Sequence, residues 1–344
     1  TILAQRSGGA LRNLEKFPLD IRLLNALKSL VFYLQKITIP INLIPYYPFP
    51  SQIHWLDLDY LVPGLLVLAI TGLCLWRAKK ETYLFATVWL FYVVTLLPVL
   101  GIIQVGDQSA ADRYTYLPSL SIFFLCGAGT LWLLEQNSFE NHRVRFATIV
   151  LVLSFVFILI GNITRRQITV WSNSETLWEY VIQAFPFPNS GPMAHNNLGT
   201  AYYKKGELDK AISEYKLALA LRPHYENALN NLGVAYSKKG MVEEAIEQHK
   251  IALAINPNSI GALLNLGAAY DTKGELDKAI MAYKKAIALK PNYARAHNNL
   301  AVVYFRKANY KLAIFHCDKV VAIRGSGNKT LLEMLKPYRT RNPK

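Results

Sequence analysis

Two rhythms of hydrophobic and polar positions divide the chain. Across residues 61–164, long apolar runs alternate with short polar loops, whereas across 193–322 apolar residues recur at helical spacing among charges. A helix that spans a bilayer needs about 20 mostly apolar residues. Four runs read as such helices: 61–76, 83–105, 114–134 and 144–163. A fifth, 21–40, is interrupted by Arg22, Lys28, Gln35 and Lys36. It either spans by packing those side chains inside a bundle or lies along the interface. The segment 39–50 holds Pro40, Pro45, Pro48 and Pro50, which remove donors and fix φ, so it is not a regular helix.

Basic residues orient this bundle. Arg6, Arg12, Lys16, Arg22, Arg77, Lys79, Lys80, Arg143 and Arg145 fall on one side, and Arg113, Arg165 and Arg166 on the other. The positive-inside rule makes the first side cytoplasmic. The loops 41–60 and 104–113 then face outward, and the later half of the chain is extracytoplasmic, at a bacterial inner membrane. Because the chain opens on Thr1 with no secretory pattern, we expect it to continue a longer N-terminal region.

The second rhythm has a period of 34. Leu198, Leu232, Leu266 and Leu300 align, as do Tyr202, Tyr236, Tyr270 and Tyr304. Ala211, Ala245, Ala279 and Ala313 align, and so do Pro223, Pro257 and Pro291. Gly199, Gly233 and Gly267 become Ala301 in the fourth unit, and the turn glycines Gly206, Gly240 and Gly274 become Ala308. This pattern resembles the tetratricopeptide repeat (TPR), a pair of antiparallel helices per unit. Small residues at the Gly199 and Ala211 positions let the two helices approach, with Tyr202 filling the space between them. The turn glycine ends the first helix and Pro223 stops the second. Residues 329–338 read as a polar capping helix, which a solenoid end needs for solubility. Upstream, a half-repeat opens at 171–178, with Ser172 or Ser174 as its cap.

The fold class expected is therefore all-α: a multispanning helix bundle followed by a TPR α-solenoid. Its divisions are 1–168 for the bundle, 169–192 for the connecting half-repeat, 193–328 for four repeats, and 329–344 for the cap and a basic tail.

The chain carries a formal charge of +15, with 38 Lys and Arg against 23 Asp and Glu. Much of the surplus sits near the C-terminus, at Lys319, Arg324, Lys329, Lys336, Arg339, Arg341 and Lys344. Such a tail is either merely solvated or meets lipid phosphates; no nucleic-acid motif accompanies it, and no nucleic-acid partner is expected. Cys74, Cys126 and Cys317 lack metal-ligand spacing and read as small buried hydrophobes. His195, His224, His249, His297 and His316 are scattered, and no hydrolase, zinc or P-loop motif appears.

Two constellations carry candidate function. The first helices of the repeats read Asn196-Asn197, Asn230-Asn231, Leu264-Asn265 and Asn298-Asn299. Asparagine is a poor helix former, so its recurrence calls for a reason. One is a ladder of amides on the concave face, Asn197, Asn231, Asn265 and Asn299 with Asn196, Asn230 and Asn298, that hydrogen-bonds an extended polypeptide. The other is structural habit copied from repeat to repeat. The peptide-threading repeats of O-GlcNAc transferases, which these units resemble, point to the first. The second constellation is the outer loop ending Asp112-Arg113-Tyr114-Thr115-Tyr116. Arg113 at a helix start can pair bidentately with phosphate oxygens, and the helix N-terminus favours an anion. Tyr114 and Tyr116 suit a sugar or the interface. An interfacial Asp112–Arg113 pair that only anchors its helix is the plainer alternative.

The ADRYTYLP run at 111–118, the later W-SETLW segment and the repeats together resemble transmembrane-and-TPR protein O-mannosyltransferases and their bacterial relatives. That resemblance implies a C-type glycosyltransferase moving a sugar from a polyprenyl-phosphate donor to protein hydroxyls. It assigns donor phosphate binding to Arg113, with Asp112, Tyr114 and Tyr116. It also places the catalytic acid, and any divalent metal it uses, upstream of this chain, so no catalytic residue and no cofactor are expected within it. The second class is a non-enzymatic, membrane-anchored TPR scaffold for envelope assembly. Expected partners are a polypeptide in the TPR groove, membrane lipid and the lipid-phosphate sugar.

Overall fold

The structure, a computed structural model, describes residues 18–41, 43–44, 47–48, 57–80, 83–100, 108–110, 115–135, 142–184 and 191–340. It divides into two units, Thr1–Ser190 and Gly191–Lys344.

In the first unit, α1 (Leu19–Thr38) packs on α2 (Leu58–Ala78), α2 on α3 (Leu84–Leu96), and α3 on α4 (Tyr116–Glu135). Then come α5 (His142–Val170) and α6 (Ser174–Ala184). Asp57 caps α2, its side chain accepting from the Asp59 amide at 3.1 Å, and Arg77 sits in the last turn, so both ends complement the helix dipole. The core of the unit gathers Ala26, Leu30, Tyr33, Val67, Tyr92 and Leu96. The Tyr92 hydroxyl donates to the Leu30 carbonyl, and Trp89 Nε1 donates to Thr71 Oγ1 at 3.0 Å.

Part of the polar face of the fifth segment turns inward, while Gln35 is exposed. Arg22, Asn25 and Ser29 are buried in α1, while Lys28 reaches Asp59 at 3.7 Å and lies 4.3 Å from the Tyr60 ring centre. The run expected at 83–105 is cut short: α3 passes at Leu97 into a 3-10 turn, Leu97–Val99, where Pro98 has no amide to donate. Thirteen helical residues rise about 20 Å, well below the about 30 Å of a bilayer core. Among the described residues, two helices are long and apolar enough to cross a membrane, at Leu58–Ala78 and Phe146–Val170. The apolar helix Leu84–Val99 is shorter, while α4, 20 residues long, has its apolar stretch at Tyr116–Trp132. Length and composition thus support two candidate spans rather than the four or five expected.

The two loops read as outward-facing meet. β1 (Tyr47–Pro48) pairs antiparallel with β2 (Gln108–Ala110), Tyr47 opposite Ala110 and Pro48 opposite Gln108. The cap of α6 is also corrected: Asn173, not Ser172 or Ser174, accepts the Thr176 amide at 2.9 Å.

The second unit is four helix pairs and a cap. The first helices are α7 (Gly191–Lys205), α9 (Glu226–Lys239), α11 (Ile260–Lys273) and α13 (Ala294–Arg306). The second helices are α8 (Leu208–Leu221), α10 (Val242–Ile255), α12 (Leu276–Leu289) and α14 (Tyr310–Arg324), and α15 (Lys329–Thr340) closes the end. The second helices of the first three repeats stop just before a residue–proline step: Arg222, Asn256 and Lys290 leave the helical region because the next ring excludes it. The fourth has no proline and ends on Gly325 at φ +74°. The inner turns use Gly206, Gly240 and Gly274 at φ +83° to +85°, and in the fourth repeat Ala308 takes φ +55°. The closing helix is amphipathic rather than polar throughout: Leu331 and Leu335 are buried with Leu300 and Cys317, and Tyr338 stacks on Tyr310 with ring centres 3.6 Å apart.

Candidate functional site

Within each pair, the close approach is set by residues sixteen apart. A side chain added at Gly199 would meet the Tyr215 ring at 2.8 Å, at Gly233 the His249 ring at 2.6 Å, and at Gly267 the Tyr283 ring at 2.6 Å. The ring that the glycine admits is the one on the second helix, and Tyr202 is itself buried. These contacts fix the rotation of each first helix, and so decide which of its faces is left over.

That remaining face carries the asparagines. α9 contacts both α7 and α11, and α11 contacts α13, while no comparable contact joins successive second helices among the described residues. The first helices thus form the inner, more closely spaced layer. Asn197, Asn230, Asn231, Asn265, Asn298 and Asn299 are half-buried on it, and Asn196 is 6% exposed.

The amides bind one another. Asn231 Nδ2 donates to Asn196 Oδ1 at 3.0 Å, and Asn265 Nδ2 donates to Asn230 Oδ1 at 3.0 Å. Asn196 Nδ2 donates to Asn197 Oδ1 at 3.3 Å. The rule is a step of 35: the second asparagine of one repeat donates to the first asparagine of the repeat before. Leu264 breaks the next rung because it offers no acceptor, and Asn299 hydrogen-bonds the Tyr283 phenol instead. The register therefore has a structural cause that sequence reading missed, a staple between consecutive repeats. A primary amide offers two N–H groups and two lone pairs, so each staple leaves part of that capacity toward the inner face.

A second ladder, of ion pairs, also joins consecutive repeats. Lys239 pairs with Asp209, Lys273 with Glu243 at 3.2 Å, and Lys307 with Asp277, always across 30 residues and one repeat boundary. Opposite charges recurring at that offset were the available signal. Arg306 pairs with Asp271 and also donates to its carbonyl at 2.9 Å, and Lys238 Nζ lies 4.7 Å from the Tyr203 ring centre.

The histidines fall into register. His195 Nδ1 lies 2.7 Å from Glu214, and the equivalent positions of the fourth repeat are His297 and His316, with Nδ1 atoms 2.9 Å apart. The Pro291 carbonyl, 2.9 Å from His297 Nε2, can only accept, so that nitrogen carries the proton and His297 Nδ1 accepts from His316. Burial, with the Lys284 charge added, pushes His316 down to about 4. His249 is fully buried with neither ring nitrogen hydrogen-bonded, and burial pushes it down to about 4. Among the described residues, no group of three or more His, Cys, Asp or Glu side chains is placed to hold a metal ion.

The expected donor-phosphate residues Asp112, Arg113 and Tyr114 lie outside the described residues. Tyr116 begins α4 with its side chain exposed, and its carbonyl accepts from Ser119 Oγ at 2.6 Å.

Comparison with protein families matches the TPR repeat at 199–240 and 272–307, and the tetratricopeptide repeat at 226–259 and 294–326. Comparison with curated proteins gives no match. Among solved structures, MamA from Desulfovibrio magneticus RS-1 is similar at 27% identity, over 48% of this chain and 93% of that one, with a TM-score of 0.42. YrrB, described as a TPR protein with an unusual peptide-binding site, is similar at 19% identity over 54% and 89%, with a TM-score of 0.40. The first TPR of Spaghetti (RPAP3), solved with the HSP90 peptide SRMEEVD, is similar at 25% identity over 35% and 94%, with a TM-score of 0.34. The chain carries tetratricopeptide repeats.

Proposed function

We propose that this is a membrane-anchored TPR protein that holds an extended segment of another polypeptide on the inner face of its solenoid. The observation that carries the reading is the line of half-buried amides on α7, α9, α11 and α13, whose N–H groups and lone pairs outnumber those the two staples use. Backbone groups of a bound strand need donors and acceptors at regular spacing, and amides supply both without selecting side chains. Anchorage is supported by α5: none of its most apolar stretch is covered by protein, which leaves a surface that lipid would cover. The basic bias of the loops supports an extracytoplasmic solenoid.

The test uses a side chain that the staples do not touch. Ala268 is exposed on α11, three residues after Asn265 and so on the same face. Peptides selected from a random library on the full chain should bind Ala268→Arg at least tenfold more weakly, with the melting temperature unchanged. Equal capture by the variant would remove the inner face as the binding surface.

Sugar transfer is the second reading, favoured by the ADRYTYLP run at 111–118 and its resemblance to the O-mannosyltransferase family. It is tested by transfer from a polyprenyl-phosphate sugar in a full-length protein. Activity should fall strongly in Arg113→Ala and partly in Arg113→Lys, which keeps the charge but loses the planar fork.

A further inference from the structure

Charge divides the solenoid. Residues 191–275 hold nine Lys and Arg and nine Asp and Glu, whereas 276–340 hold thirteen and three. All three acids of the second stretch are engaged: Asp277 by Lys307, Asp318 by Arg339 and Glu333 by Lys336. Glu275 takes Lys278, and Asp271 takes Arg306. Eight cations are left with no acid partner among the described residues. Lys284 and Lys285 on α12 and Lys311 and Lys319 on α14 are four of them, all exposed.

The same helices expose two large apolar side chains in register. Met281 on α12 is 71% exposed and Phe315 on α14 is 51% exposed, 34 residues apart. Each precedes a lysine by four positions, Lys285 and Lys319, so apolar group and charge share one helix face. Lys319 Nζ lies 5.6 Å from the Phe315 ring centre. The equivalent pairs on α8 and α10 are Ser213 with Leu217 and Glu247 with Ile251, so the combination belongs to the last two repeats. It lies on the second helices, away from the asparagines, and does not rest on peptide capture.

We propose that the outer face of α12 and α14 docks onto an anionic phospholipid surface, lysines to headgroup phosphates and Met281 and Phe315 into the interfacial layer. Charge complementarity requires a negative partner, because the chain's own acids in this stretch are used. Long lysine stems spread over two helices suit a diffuse field of phosphates. An exposed Phe and Met flanked by lysines have the chemistry of an interfacial contact. An acidic polypeptide would satisfy the charges but gives no reason for that apolar pair.

The full chain, held in nanodiscs of phosphatidylcholine, is sedimented with separate vesicles of phosphatidylcholine alone or mixed with phosphatidylglycerol. The anionic vesicles should bind it, the neutral ones should not, and binding should fall at least tenfold at high salt, where screening shortens to about 3 Å. Lys285→Glu with Lys319→Glu should lose binding at least tenfold, and Met281→Ser with Phe315→Ser several-fold. Lys216→Glu with Lys250→Glu, on α8 and α10, should keep it. All these side chains are exposed, so melting curves should coincide. Equal binding by the charge-reversed variant, or equal binding to neutral vesicles, would overturn the proposal. So would capture by poly-glutamate without capture by anionic vesicles, which would make the partner an acidic polypeptide. A chain that needs no lipid or detergent would count against the membrane anchor, yet the vesicle assay would still read this face.

Discussion

The first three repeats and the fourth meet one steric demand in opposite ways. In the first three, a glycine on the first helix admits a ring from the second: Gly199 with Tyr215, Gly233 with His249, Gly267 with Tyr283. In the fourth, Ala301 faces a helix that carries Cys317, and both are buried. The unit under constraint is the pair sixteen residues apart: where the first helix has no side chain the second carries a ring, and where the first carries a methyl the second carries a small thiol. The fourth repeat is therefore an alternative packing, not a decayed copy.

The strongest way to break that comparison is to add a side chain on the glycine side alone. Gly267→Val would place its Cβ 2.6 Å from the Tyr283 ring, which is 1% exposed and has nowhere to go. The expected loss is about 3 kcal/mol or more, read from urea unfolding. Gly267→Ala combined with Tyr283→Cys recreates the fourth repeat's pair. It should be more stable than the sum of its single variants by about 1 kcal/mol or more. Additive effects would show that the two positions do not share a volume.

The second repeat sharpens the contrast through its histidine. Tyr215 has Thr200 Oγ1 at 3.3 Å, whereas Val234 stands where Thr200 would be, and His249 is left without a partner. His249 titrates at about 4 in the folded protein against an ordinary value of 6.5. Between those values the unfolded chain binds the extra proton, so stability is full above pH 6.5 and falls as pH drops toward 4. The full loss from this residue is about 3 kcal/mol. His249→Phe should flatten that part of the pH–stability curve, while wild type and variant run parallel above pH 7.

How far the fold was legible follows from where its determinants lie. The helix pairs could be read because Leu198, Tyr202, Ala211 and Pro223 recur at one fixed offset, and each acts within its own repeat. The staples could not, since Asn231 and Asn196 look like copies of one habit until the step of 35 is seen. In the first unit, apolar content located the helices but not their lengths: Pro98 decides where α3 ends. The pairing of Tyr47 with Ala110 joins two loops across more than sixty residues and has no local signal. The inward turn of Arg22, Asn25 and Ser29 depends on which helices surround α1, so the sequence left two readings open. Arg113 could be singled out by residue type and position, but it lies outside the described residues.

The amide staples give a smaller effect with a built-in contrast. Asn231→Ala and Asn265→Ala each remove an inter-repeat hydrogen bond at 3.0 Å and leave the opposite acceptor half-buried, or buried in the case of Asn196. Each should cost about 1 kcal/mol. Asn298→Ala should cost less than about 0.5 kcal/mol, because its equivalents Asn196 and Asn230 serve as acceptors for a following repeat and α13 has none. Urea unfolding of the three variants checks the order. If all three fall together, the asparagines contribute through something other than the stapling geometry.

The smallest effect has the opposite sign. Gly206, Gly240 and Gly274 turn between helices in the left-handed region at no steric cost, and Ala308 takes the same turn at φ +55°. An L-residue there carries roughly 1–2 kcal/mol of strain from its Cβ against the following carbonyl. Glycine removes that strain but gains freedom in the unfolded chain, so the net benefit is about 0.5–1 kcal/mol. Ala308 is exposed, and its replacement removes no packing. Ala308→Gly should therefore stabilise the fourth repeat, and Gly240→Ala should destabilise the second by about the strain it introduces. Solenoids couple mainly through neighbouring repeats, so the change belongs first to the C-terminal pair. Amide hydrogen exchange in α13 and α14 should slow in Ala308→Gly, while exchange in α7 and α8 stays the same. Faster exchange in α13 and α14 would mean that the alanine turn is favoured by something other than its backbone geometry.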